Sequence, residues 1–264
     1  DGGSGEIETL VANLYGAHRA LKKARVQREP LEIQTPELDV RLGANGHVAS
    51  VHKVQSLEAH QLIEDLMIAA NVAAAEVLTE ARAPCMYRVH DEPERERIEA
   101  LRDFLDSLGL PLARGQRQTP AQFNNVLRKV ADGPNQQAVN QAVLRSQARA
   151  EYSAGAAPHF GLNLTRYVHF TSPIRRYADL LIHRGLIAVL GFGSDGLGPK
   201  DADTFAATAQ HISMTERRAV AAERDALSRF LAAYLSDHVG AVFPGRISGV
   251  IKFGLFVTLD ETGA

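Results

Sequence analysis

Gly161-Leu-Asn-Leu-Thr-Arg-Tyr-Val-His-Phe-Thr-Ser-Pro-Ile-Arg-Arg-Tyr-Ala-Asp-Leu180, continued by Leu-Ile-His183-Arg184, is the densest chemical signal in the chain. Ser172 followed by Pro173 reads as the N-cap and first residue of a helix with Ile174, Leu180, Leu181 and Leu186 on its apolar face. That places Arg175 and Arg176 in the first turn, where the helix dipole favours acids and disfavours cations. Two guanidinium groups beside free backbone N–H donors make a site for an anion, most naturally a phosphate. Tyr167, His169 and Phe170, just upstream, offer stacking surfaces to unpaired bases. The alternative is that the arginines pair with buried carboxylates such as Asp179, four residues after Arg175.

Upstream, Leu10, Val11, Leu14, Ala17, Leu21 and Ala24 recur at helical spacing between Glu6 and Arg28, with Arg19, Lys22, Lys23, Arg25 and Arg28 on the far side. Pro30 and Pro36 bracket an extended stretch. Leu38 to Leu42, the turn residues Gly43-Ala44-Asn45-Gly46 and Val48 to Val54 predict a β-hairpin. Ser56 is the expected N-cap of a long helix to about Arg82, with Leu62, Leu66, Ala69 and Ala73 on one stripe and Ile63, Met67 and Ala70 on the next. Glu64 and Asp65 sit in the middle of that apolar helix. A short strand at Tyr87 to His90 and a helix from Pro93 to Leu108, closed by Gly109, follow.

Residues 111–150 carry Arg114, Arg117, Arg128, Lys129, Arg145 and Arg149 against one acid, Asp132. This is either a solvated surface or an RNA-facing flank. Asp201 is the expected cap of a last long helix to about Asp237, with Phe205, Ile212, Ala219, Ala222, Ala226 and Phe230 on its buried side. After Gly240 the pattern changes to strand chemistry, which suggests a second domain.

With 45% apolar and 23% charged residues and a net charge of −2, the 264-residue chain has an ordinary globular balance. Any affinity for nucleic acid must therefore come from local patches. Cys85 is the sole cysteine, which excludes an internal disulfide and a multi-cysteine zinc site and leaves it as a small core filler. No stretch approaches the ~18 apolar residues of a membrane span, so no membrane partner and a cytoplasmic location are expected. The opening Asp1-Gly2-Gly3-Ser4-Gly5 has neither an initiator Met nor a secretory pattern, as expected for a piece of something longer.

The run His169-Phe-Thr-Ser-Pro-Ile-Arg-Arg-Tyr-Ala-Asp179 with His183-Arg184 closely resembles the signature of the ribonuclease II and ribonuclease R family of processive 3′-to-5′ exoribonucleases. His60-Gln-Leu-Ile-Glu-Asp-Leu-Met-Ile-Ala-Ala-Asn71, Arg88-Val-His-Asp-Glu-Pro93, His159-Phe-Gly161 and Ala222-Glu-Arg-Asp225 resemble further family blocks in the right order. The resemblance is strongest to the bacterial ribonuclease R branch. It implies an α+β fold: residues 1–238 would be the C-terminal part of a helix-wrapped RNB catalytic domain. Residues 239–264 would begin an OB-fold β-barrel.

The resemblance also implies a reaction, the Mg²⁺-dependent hydrolysis of single-stranded RNA to nucleoside 5′-monophosphates. The catalytic assignment falls on Arg175, as holder of the phosphate at the reacting end. Glu64 falls near the terminal ribose, where a carboxylate accepts from the 2′-OH. Glu223 falls near the last nucleotide, Phe253 and Phe256 where the OB fold presents aromatics to bases, and Lys252 beside them for phosphate. Glu64 and Glu223 could instead answer buried arginines, and Phe253 and Phe256, three apart, lie on opposite faces of a regular strand unless a turn or bulge intervenes. His169 and His183 are expected as hydrogen bonders and not as metal ligands. A monomeric parent enzyme is implied, with RNA-decay accessory proteins as further partners.

The closely spaced aspartates that two-metal hydrolysis needs are missing. Asp201-Ala-Asp203 comes nearest and fits a helix N-terminus better. The resemblance places that cluster upstream, so the chain is expected to be truncated at both ends, without a metal site of its own and inactive alone. The alternative from another class is a non-catalytic RNA-binding or scaffold protein with the same fold.

Overall fold

The computed structural model describes the chain apart from residues 1, 35, 36, 45, 55, 114–116, 199, 261 and 264. At 2–4, 37, 53, 250 and 251 it describes the backbone only. Pro36, Asn45 and Arg114, singled out above, therefore lie outside the described residues, as does Asp1. The order is α1 (Gly2–Arg28), β1 (Glu37–Leu42), β2 (Val48–Val54), α2 (Glu58–Glu80), β3 (Tyr87–Val89), α3 (Arg95–Ser107), α4 (Pro120–Lys129) and α5 (Gln136–Ser146). Then come β4 (Glu151–Ser153), α6 (Tyr177–Leu190), a 3₁₀ turn (Ala202–Thr204), α7 (Phe205–Ser236), β5 (Gly245–Ile251) and β6 (Gly254–Leu259).

Helices and strands are mixed, as the α+β expectation has it. The strands described form three separate antiparallel pairs, β1–β2, β3–β4 and β5–β6, and no closed barrel is present among the described residues. Two compact units can be distinguished. One comprises residues 1–33 and 57–214; the other comprises 34–56 and 215–264.

The first unit holds two cores. Around α2, β3, β4, α6 and the start of α7, Leu78, Met86, Val89, Val168, Leu181, Ile182 and Phe205 are buried together with Cys85, the expected core filler. Burial pushes the Cys85 thiol up to about 12, so it stays a neutral thiol. A second core joins α3, α4 and α5 through Leu105, Phe123, Val139 and Val143, closed by Phe160. Pro120 at the first helical position and Thr119 before it start α4, and Gln122 Oε1 accepts the Thr119 N–H at 2.9 Å.

Four helix readings need correction. In α1 the expected apolar stripe is not the packed one: Leu10, Val11 and Leu14 are exposed, while His18 is 1% exposed. The face turned to α2 is polar because it meets Asp65: His18 Nδ1 lies 3.1 Å from Asp65 Oδ2, and Arg25 Nη1 donates to Asp65 Oδ1 at 3.2 Å. In α2 the buried line is Leu62, Asp65, Ile68, Asn71, Ala74, Ala75 and Leu78; it starts at Leu62 as expected but then runs about one residue out of phase with the expected stripes, and Ile63 is exposed. Its N-cap is Leu57, not Ser56, and its N–H donates to His60 Nδ1. In α7 the expected burial holds for Phe205 and partly for Ile212, but Ala219, Ala222, Ala226 and Phe230 are exposed.

The fourth correction concerns the decisive segment. α6 begins at Tyr177, not Pro173, and residues 173–175 form a turn in which Ser172 O accepts the N–H groups of Arg175 and Arg176. Ile174 is therefore off the helix and fully exposed, not part of its apolar face. The physical reason is Asp179. It stands in the first turn, where the dipole favours an acid, and its carboxylate reaches back to the Ser172 N–H at 2.8 Å, which folds the preceding residues out of the helical path. Gly191, at φ +67°, closes α6 in the left-handed region.

Candidate nucleic-acid interface

Residues 167–176 form a strap across the first core, and two buried polar side chains pin it. From α2, Asn71 (2% exposed) donates from Nδ2 to Tyr167 Oη at 2.8 Å, and its Oδ1 accepts the Phe170 N–H at 2.8 Å. From α6, Asp179 has no exposed surface. It accepts the Ser172 N–H and, bidentately, Arg176 Nε and Nη2, each at 2.8 Å. His183 adds a third hold. Its Nε2–H donates to Phe170 O at 2.9 Å, and its ring stacks on Phe170 at 4.3 Å. Every polar atom of these pins that faces inward has a partner, the condition on which burying them depends.

The strap's inner side continues a ladder of rings. His90, His159, Tyr167 and His169 meet successively edge to face at 5.1, 5.5 and 5.8 Å, and Tyr152 closes the row against His169 at 5.6 Å. Burial and the neighbouring Arg88 and His90 push His159 down to about 3. Burial, with Arg176 and Arg88 nearby, does the same to His169. Both rings are thus neutral at pH 7: His159 Nδ1 accepts the Leu162 N–H, and His169, one of the two histidines expected as hydrogen bonders, has its Nδ1 2.9 Å from Tyr152 Oη. Gly161 lets this packing close, since a Cβ there would stand 2.9 Å from His90 Nδ1, the atom that accepts the Gly161 N–H.

The site residues read from the sequence separate into groups. Arg175 is exposed in the turn, and its guanidinium makes no hydrogen bond or ion pair among the described residues. Arg176 is the arginine taken up by Asp179, so the pairing alternative applies to it and not to Arg175. Tyr167 is 6% exposed, and burial raises its phenol, countered by the Asn71 hydrogen bond and the field of Arg176. It braces the strap and presents no open face. His169 is half-buried behind it. Glu64 is 53% exposed on α2, with Arg25 Nη1 3.6 Å away, and its charge reaches Tyr167. Glu64, Tyr167, His169 and Arg176 are therefore brought into one neighbourhood of the first unit, with Arg175 at its lip.

The remaining candidates belong to the second unit. Glu223 is exposed on α7. Lys252 and Phe253 form the turn between β5 and β6, and Phe256 lies in β6. The turn does intervene between the two aromatics, and both are exposed, at 91% and 58%. Of the basic segment, Arg117 pairs with Glu92 and so is not free for phosphate. Sequence reasoning gave no role to Asn71, although a lone carboxamide inside an apolar helix stripe is the mark of a buried polar pin.

No group of three or more His, Cys, Asp or Glu side chains among the described residues is arranged to hold a metal ion. The described residues thus do not fit a Mg²⁺ pair. No helix among them is long and apolar enough to cross a membrane.

Comparison with known proteins bears on the same residues. The family model for the RNB domain matches residues 4–191, which contain the whole strap and both of its pins. Ribonuclease R of Vibrio cholerae is 38% identical over 257 residues, covering 94% of this chain but 31% of that protein, so the chain spans about a third of such relatives. Among solved structures, Mycoplasma genitalium RNase R in complex with ribose-methylated single-stranded RNA superposes with a TM-score of 0.89 at 27% identity, over 96% of this chain and 40% of that one. The same enzyme in complex with double-stranded RNA gives 0.88 at 27%, over 96% and 45%. The match over most of the chain decides the family: this chain belongs to the RNB domain family.

Proposed function

We propose that this chain is the RNA-gripping part of a processive 3′-to-5′ exoribonuclease that hydrolyses single-stranded RNA to nucleoside 5′-monophosphates. The observation that carries this reading is the pinned strap: two buried side chains hold a turn in one shape, and the turn leaves a single arginine, Arg175, exposed without a partner. A guanidinium so placed meets a phosphate bidentately and offers it positive charge where negative charge builds up on displacement. Glu64, exposed nearby, accepts from a ribose 2′-OH, a contact DNA lacks. In the second unit Phe253, Phe256 and Lys252 serve as a stacking and phosphate platform at the beginning of an OB-fold domain from residue 239, and Glu223 faces the last nucleotide.

In such an enzyme a bound Mg²⁺ pair would supply the attacking hydroxide. Its ligands do not come from the described residues, so the aspartates that hold it are proposed to lie outside this sequence, and the 264 residues alone bind RNA without cutting it. The intact enzyme is proposed to work as a cytoplasmic monomer. The test uses 5′-labelled single-stranded RNA with Mg²⁺. The full gene product is expected to shorten the label stepwise from the 3′ end and release mononucleotides, while the 264-residue chain binds and releases none. Internal cuts by the gene product would overturn the exonuclease reading. Binding with no cleavage by the full product would favour a scaffold instead.

A further inference from the structure

The two consecutive arginines have opposite fates. Arg175 projects from the turn, whereas Arg176 gives its Nε and one Nη2 hydrogen to Asp179, and the same carboxylate takes the Ser172 N–H. Asp179 is fully buried, and Arg176 is 25% exposed. A carboxylate with no water around it needs both the cation and the backbone donor, since removing either partner leaves charge uncompensated in the interior. The planar fork of Arg176 is also what orients that carboxylate toward Ser172; a lysine offers a point charge without that geometry.

We infer that Arg176 is a positioning residue: Asp179 withholds it from RNA, and the pair sets the turn that leaves Arg175 as the one phosphate-binding arginine of the strap. This rests on the RNA-gripping reading of the strap. It assigns Arg176 away from direct RNA contact, where sequence chemistry alone left both guanidinium groups open to the anion or to Asp179. Counterion release separates the two roles, because a cation that neutralises a strand phosphate adds about 0.7 to the slope of log affinity against log salt. A cation already paired within the protein adds nothing.

The experiment compares the intact 264-residue chain with Arg175→Ala, Arg176→Ala, Arg176→Lys and Asp179→Asn, by thermal melting and by titration with labelled oligoadenylate at several salt concentrations. Arg175→Ala is expected to keep its Tm and lose about 0.7 of slope. Arg176→Ala and Asp179→Asn are expected to lower Tm by roughly 10 °C without losing slope of their own below that Tm, and Arg176→Lys is expected to recover little of the loss. An Arg176→Ala protein that melts like the parent and loses slope as Arg175→Ala does would overturn the inference. If the unmodified chain binds no oligoadenylate, the RNA-gripping reading fails. The pairing is then read from hydrogen exchange of the Arg176 Nε–H, which the bidentate bond slows and Asp179→Asn releases; fast exchange in the unmodified chain would overturn it.

Discussion

The strap at residues 167–176 and the hairpin of β5 and β6 carry the chain's two sets of RNA-facing candidates, and they are built in opposite ways. In the strap the exposed charge is a single arginine, and the structure beneath it is held by the polar side chains of Asn71, Asp179 and His183, each hydrogen-bonded to the strap. In the hairpin the candidate groups are aromatic, Phe253 at the turn and Phe256 on the strand, exposed beside Ile247, Leu255 and Val257, and their setting is the antiparallel ladder itself. The first is a geometry held by side chains, in which placement of one charge matters. The second is a surface presented by backbone, suited to stacking that tolerates any base.

Substitutions should therefore separate stability from binding in different ways at the two places. The largest effect is expected at Asp179: Asp179→Asn strips a buried carboxylate's charge from its arginine and should cost about 3–5 kcal/mol in urea unfolding. A loss under 1 kcal/mol would show that the pair does not hold the strap. Next comes acid. His159 and His169, held near 3 when folded, take up protons in the unfolded chain once pH drops below about 6.5. Their contribution is full above that value and is lost as pH falls toward 3, by roughly 2 kcal/mol for the two between pH 6.5 and 5.5. Urea midpoints that do not move over that window would contradict neutral, buried rings.

Asn71→Ala follows, at about 2 kcal/mol, because it leaves the Phe170 N–H and the Tyr167 hydroxyl without their partner. The smallest stability change is expected in the hairpin. Phe253→Ala should alter unfolding by no more than about 0.5 kcal/mol while weakening single-stranded RNA binding by about 1–3 kcal/mol. A large stability loss there would mean that Phe253 packs and does not serve as a platform.

Much of this architecture is legible in the sequence, for reasons that differ by element. The β1–β2 hairpin follows from alternation and turn residues, and the C-terminal end of α3 from Gly109, because these signals are local. The faces of α1 and α2 are not legible, since apolar periodicity assumes that the buried side is the apolar one. Here α1 and α2 meet through His18, Arg25 and Asp65, a polar pairing that no local pattern announces. The start of α6 fails likewise. Ser172-Pro173 has the chemistry of a helix start, yet a carboxylate seven residues from Ser172 captures its N–H and moves the start to Tyr177. Arg175 and Glu64 were readable as charges out of place. The difference between Arg175 and Arg176 was not, because it depends on which guanidinium the turn aims at Asp179.

Photo-crosslinking tests the placement of RNA most directly. A single-stranded RNA carrying a crosslinking base only at its 3′-terminal nucleotide would be irradiated with the 264-residue chain and the attached peptide identified by mass spectrometry. Attachment within the strap or on α2 around Glu64 is the predicted result. Attachment confined to the Lys252–Phe256 hairpin or to the basic segment at 111–150 would contradict the assignment of the reacting end of the RNA to Arg175.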